Sequence, residues 1–90
     1  MEIIQFVGKG DAQIMVGKPE DAMAFYSAAL NLDKHCFEAW LGMGLALNIL
    51  YRYEEALSCY ERAQILNPLS ITGECMVEYL RDKVKTNQEH

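Results

Sequence analysis

The sequence predicts an all-α fold: a right-handed stack of helical hairpins, about five helices in one domain spanning 1–90. Three observations carry this. The chain matches itself when shifted by 34 residues. Apolar residues recur at i, i+3, i+4 and i+7, the spacing of one helix face. Gly17, Pro19 and Pro68 then punctuate the chain where hairpins would turn or end.

The repeat aligns 3–36 with 37–70 without a gap. Eight positions are identical: Gly8/Gly42, Gly10/Gly44, Ala12/Ala46, Glu20/Glu54, Ala22/Ala56, Tyr26/Tyr60, Ala29/Ala63 and Leu32/Leu66. Ordinary composition gives about two by chance. Phe6/Trp40, Val7/Leu41, Lys18/Arg52, Asp21/Glu55 and Met23/Leu57 are conservative pairs.

Each unit reads as two helices. In the first, Gly17 is placed to cap the opening helix, and Pro19 suits the first turn of the next. Glu20 and Asp21 favour that helix N-terminus. In the second, Trp40, Met43, Gly44 and Leu47 fall on one face, and Ala56, Leu57, Tyr60, Ala63 and Gln64 repeat the spacing on a following helix. Asn67-Pro68 ends it, because proline restricts the residue before it and cannot donate to the next turn. Gly10 and Gly44 allow close helix approach, Ala22 and Ala56 do so from the other side, and Tyr26 and Tyr60 fill the space between. A terminal helix is expected over 71–85. Ser70 is its N-cap, Glu74 lies in its first turn, and Met76, Val77, Leu80 and Val84 are on one face. Residues 86–90 are polar and expected to fray.

The run Trp40-x2-Met43-Gly44-x2-Leu47, then Ala56-x3-Tyr60, Ala63 and Pro68, resembles the tetratricopeptide repeat in period, spacing and residue type. The resemblance covers 3–70 and implies two repeats plus a C-terminal capping helix. The first unit departs from the pattern at Phe6, Lys9 and Gln13. The second departs at Tyr51, where the family usually has glycine: a left-handed Tyr51 carries about 1 kcal/mol of strain or more, or else the turn is remodelled.

The resemblance further implies that the first helix of each hairpin lines a concave surface. By position, that surface takes Ile4, Val7, Gly8, Asp11, Ile14 and Met15 from the first unit. The second contributes Glu38, Leu41, Gly42, Leu45, Asn48 and Ile49. Thr72, Cys75, Met76, Tyr79 and Asp82 would join if the terminal helix docks as a third first-helix. The expected partner-binding residues are Val7, Asp11, Met15, Leu41, Leu45, Asn48, Ile49, Met76 and Tyr79. Family members that grip the C-terminal carboxylate of heat-shock chaperones use Lys, Arg and Asn there. The corresponding positions here are Val7, Asp11, Gly42, Thr72 and Met76, and Asp11 would repel a carboxylate. That partner class is therefore not expected.

Composition narrows the remainder. Ninety residues are too few for a two-domain enzyme or a parallel sheet with crossover helices. Thirteen acidic against eight basic residues give a net charge of −5, which disfavours nucleic acid as a partner. No apolar run is long enough to span a membrane, and the N-terminal stretch lacks the basic flank of a secretory signal. Met1 and the polar tail are compatible with a complete chain and do not distinguish it from an excised piece. Cys36, Cys59 and Cys75 are an odd number without CxxC spacing. That argues against a disulfide framework or zinc site and for reduced thiols in a cytoplasmic protein. Cys59 and Cys75 sit among apolar neighbours and read as small core residues.

No catalytic constellation is present. His35 and His90 are the only histidines. His35 adjoins Cys36, but neighbours in a turn do not converge as a dyad requires. Gly8-Lys9-Gly10-Asp11 lacks the spacing, the Ser/Thr and the preceding strand of a phosphate loop. No cofactor or metal is expected, and no enzymatic activity. The expected function is protein–protein interaction as a scaffold or co-chaperone-like module that binds a partner peptide or helix in an apolar groove. The alternative is a structural unit whose groove face forms a homo-oligomer, since two repeats are fewer than the three that usually confer independent stability.

Overall fold

The chain folds as five helices in sequence: α1 (Glu2–Met15), α2 (Pro19–Leu32), α3 (Phe37–Ile49), α4 (Tyr53–Leu66) and α5 (Ile71–Gln88). The computed structural model describes residues 2–88. Each helix packs on its neighbours in the chain, and α1 also touches α3. The result measures 43 × 28 × 19 Å. Its smallest dimension is about two helix diameters, so the molecule is a two-layer slab with α1, α3 and α5 in one layer.

The hairpin turns follow the residues at their corners. Gly17 has φ 79°. Its N–H bonds the Ile14 carbonyl at 3.1 Å and the Lys18 N–H bonds the Gln13 carbonyl at 2.8 Å, which is the Schellman termination of a helix. Thirty-four residues on, the motif repeats. The Tyr51 N–H bonds the Asn48 carbonyl at 3.0 Å and the Arg52 N–H bonds the Leu47 carbonyl at 2.9 Å. Tyr51 holds the left-handed position at φ 63°, so the strained alternative is the one realised. Pro19 opens α2, with Glu20 and Asp21 in its first turn. The Ser70 hydroxyl accepts the Gly73 N–H at 3.3 Å and caps α5.

Two apolar clusters hold the layers together. Leu47, Ala56, Cys59, Tyr60, Val77 and Leu80 form one, joining α3, α4 and α5. Ala29, Cys36 and Ala39 form the other, with Ile3, Phe6, Val7 and Leu30 against them. Between hairpins, Tyr26 is wholly buried. A Cβ built on Gly10 would lie 2.7 Å from its ring, and one on Gly42 only 2.2 Å. Both glycines thus exist to admit one aromatic ring. Gly44 does the same for Tyr60, at 2.7 Å. Gly8, the repeat partner of Gly42, meets nothing within 4 Å, because the face of α1 carrying Gly8, Lys9 and Ala12 is uncovered.

Two expectations need correction. Helix α5 runs to Gln88 and not to 85, because its polar end offers nothing that breaks a helix; positions 89 and 90 lie outside the described residues. Cys75 is exposed while Cys59 is buried. Val77 and Leu80 take the buried face of α5, and at helical spacing Cys75 cannot share it.

Candidate functional site: a concave trough across three helices

Helices α1, α3 and α5 meet around a concave trough of about 390 Å³ lined by Val7, Asp11, Glu38, Leu41, Gly42, Leu45, Tyr60, Thr72 and Met76. Helix α1 supplies Val7 and Asp11 one turn apart. Helix α3 supplies Leu41 and Leu45 by the same rule, with Glu38 a turn before them. Helix α5 supplies Thr72 and Met76, so it docks as a third first-helix. The floor is apolar because α3 is apolar on nearly all sides, flanked by both hairpin partners.

Of the nine residues expected at a binding surface, the structure brings five into this trough: Val7, Asp11, Leu41, Leu45 and Met76. The other four do not line it. Met15 is 85% exposed, at the end of α1; Ile49 and Tyr79 are partly exposed on α3 and α5. Asn48 is half-buried on α3. The Lys83 ammonium lies 5.5 Å from the centre of the Tyr79 ring, an arrangement that engages the ring's face.

Tyr60 lines the trough although its sequence position reads as packing only. Repeat register contains the missing signal. Tyr26 donates a hydrogen bond to the Asp11 carboxylate. The equivalent of Asp11 is Leu45, and the equivalent of Gly42 is Met76. Tyr60 therefore has no acceptor and keeps, in Gly44, the equivalent of only one of the two glycines that flank Tyr26.

Burial governs the ionisation of these phenols. Desolvation, then the hydrogen bond and charge of Asp11, hold the Tyr26 phenol well above the ordinary tyrosine range. Desolvation and the neighbouring Cys59 push Tyr60 up to about 12. Desolvation, then Glu55, push the Cys59 thiol up to about 11, so it is an inert core thiol and not a nucleophile. His35 is exposed while Cys36 is buried; the main-chain N–H of His35 donates to the Asp33 carboxylate at 2.9 Å. Among the described residues no group of three or more His, Cys, Asp or Glu is placed to hold a metal ion, and no helix is long and apolar enough to cross a membrane.

The architecture defines a class: helical-hairpin repeats whose first helices surround a concave surface. Solved structures agree. The TPR domain of Arabidopsis OM64 superposes with a TM-score of 0.88 over 90% of this chain and 67% of that one, at 25% identity. The first TPR domain of Spaghetti (RPAP3), bound to the HSP90 peptide SRMEEVD, superposes with a TM-score of 0.90 over 92% of this chain and 66% of that one, at 20% identity. In sequence, 60 residues are 32% identical to the probable UDP-N-acetylglucosamine–peptide N-acetylglucosaminyltransferase SPINDLY of Hordeum vulgare. That match is 67% of this chain but only 6% of the barley protein. No family model matches the chain. The chain has the tetratricopeptide-repeat fold, with two repeats followed by a C-terminal helix.

Proposed function

We propose that this chain is a non-catalytic protein-interaction module that captures an apolar peptide or helix of a partner in the trough between α1, α3 and α5. The observation that carries the reading is the trough: Val7, Leu41, Leu45 and Met76 form an apolar floor in a concave site. Its volume falls at the low end of the about 300–1,000 Å³ of ligand pockets. An apolar concavity kept in contact with water marks a binding surface. The Spaghetti domain, with its bound chaperone peptide, supports peptide capture by such a fold. The same peptide class fits poorly here, because Asp11 lines the trough and would repel a carboxylate. Three free thiols, two of them buried, suit a reducing cytoplasmic setting.

Leu45→Glu tests this. It introduces a charge on the trough floor at a residue that is 38% exposed, so the fold tolerates it. Capture of labelled synthetic peptides should be abolished while far-UV circular dichroism stays unchanged. Undiminished capture sinks the assignment.

A second reading is self-association through the same layer, favoured by the exposed Leu45, Ile49 and Tyr79. Light scattering behind a sizing column, over a hundredfold concentration range, separates the two. A monomer supports peptide capture; a concentration-independent dimer supports self-assembly.

A further inference from the structure

The trough carries a sign. Its polar lining is two carboxylates, Asp11 and Glu38, and two hydroxyls, Tyr60 and Thr72; no lysine, arginine or histidine lines it. Tyr60 is only 3% exposed, and among the described residues its hydroxyl makes no hydrogen bond. No fully enclosed side-chain oxygen in the described residues lacks a partner. The Tyr60 hydroxyl is therefore not fully enclosed, and because Tyr60 lines the trough it is offered there as an unmatched donor.

These groups restrict the occupant. A purely apolar segment laid over the floor would strip water from Asp11 and Glu38 and return nothing, which is unfavourable for any charge. An acidic segment would add repulsion. A cation in the trough that lies near these carboxylates offsets their desolvation, and more strongly as the surroundings become apolar. The Tyr60 donor matches a main-chain carbonyl, which any peptide supplies.

Resting on the capture reading above, we infer that the occupant is a short partner segment carrying a lysine or arginine flanked by apolar residues. The apolar side chains bury on Leu41, Leu45 and Met76. The cation sits against Asp11 and Glu38. A backbone carbonyl of the segment accepts from Tyr60.

The test is selection from a random library of synthetic twelve-residue peptides on the full chain, followed by fluorescence anisotropy of the winners. The winners should carry Lys or Arg between apolar positions and should be lost on Leu45→Glu. Replacing their cation by glutamine should weaken binding about tenfold. The double variant Asp11→Asn, Glu38→Gln should erase that difference; Asn keeps an oxygen for the Tyr26 hydroxyl, so the fold is preserved. Tyr60→Phe should weaken every winner about three- to fivefold. Winners that depend on Leu45 but are acidic, or that ignore loss of their cation, overturn the inference and leave the trough as a capture site. Winners indifferent to Leu45→Glu, no winners at all, or a dimer that occludes Leu45 overturn both.

Discussion

The Tyr26 hydroxyl donates to the Asp11 carboxylate, tying the second helix of one hairpin to the trough face of the first. The ring reaches there through the gap between Gly10 and Gly42. One aromatic thus sets the spacing of three helices and orients an acid at the trough. Its repeat partner Tyr60 has the ring without the acceptor, and the difference separates a structural phenol from one available to a ligand.

That asymmetry gives the first prediction. Tyr26→Phe removes a hydrogen bond to a charged acceptor and should lower stability by about 1–2 kcal/mol. Tyr60→Phe removes a hydroxyl with no internal partner and should change stability by less than about 0.5 kcal/mol. Urea unfolding of both variants measures the difference. Equal losses would mean that the Tyr26–Asp11 bond contributes nothing beyond ring packing.

Glycine at two repeat-equivalent positions should behave oppositely. Gly42→Ala drives a methyl to 2.2 Å from the Tyr26 ring, and a buried ring held on both sides cannot retreat. We expect a loss of about 3 kcal/mol. Gly8→Ala meets open space inside a helix and should gain about 0.5–1 kcal/mol from reduced chain entropy. Thermal melts of the two variants decide it; a loss at Gly8 as large as at Gly42 would mean that something covers α1 in solution.

Much of this was legible in advance, and for one reason. Period, glycine pairs and tyrosine pairs all express helix–helix contact, and contact repeats with the sequence. Helix order, the Schellman corner at Gly17 and the cap at Ser70 followed from local chemistry. The trough was legible only in part. Position on a first helix nominates Val7 and Leu45, which line the trough, but also Met15 and Ile49, which do not and lie toward the C-terminal ends of α1 and α3. Tyr60 escaped because a tyrosine at a packing position looks the same whether or not its hydroxyl is matched. The evidence for it lay in two other residues, Leu45 and Met76. Cys75 was misplaced because apolar neighbours in sequence are not neighbours on a helix face.

Alkaline conditions should unfold the protein early. Cys59 is raised from the ordinary thiol value to about 11, and Tyr60 from the ordinary phenol value to about 12; Tyr26 is raised further. Each folded value exceeds its unfolded one, so the folded state holds more protons. The stabilisation is complete below about pH 9 and is lost as pH rises through the folded values, with a slope set by the proton difference. Melting temperature should fall steadily from pH 9 to 11. Tyrosinate absorbance should show two of the five tyrosines ionising only as the helical signal disappears. A flat melting temperature across that range would refute the burial of these groups.

The last prediction concerns Tyr51, which sits at the same Schellman corner as Gly17 but with a side chain. Its φ of 63° brings Cβ toward the following carbonyl, which disfavours the left-handed region for all residues but glycine by about 1–2 kcal/mol. Little offsets this: the side chain is largely exposed, and its aromatic contact is the edge of Tyr53, with ring centres 6.3 Å apart. Tyr51→Gly relieves the strain and loses that contact, and glycine gives back part of the gain through a freer unfolded chain. A net gain of about 0.5–1 kcal/mol is expected. Gly17→Ala, the mirror experiment, should cost about 1 kcal/mol. Denaturant midpoints of both variants test the pair together: a gain at 51 with a loss at 17 establishes one shared corner geometry, whereas a loss at Tyr51→Gly means that this side chain is held by a contact stronger than the strain it carries.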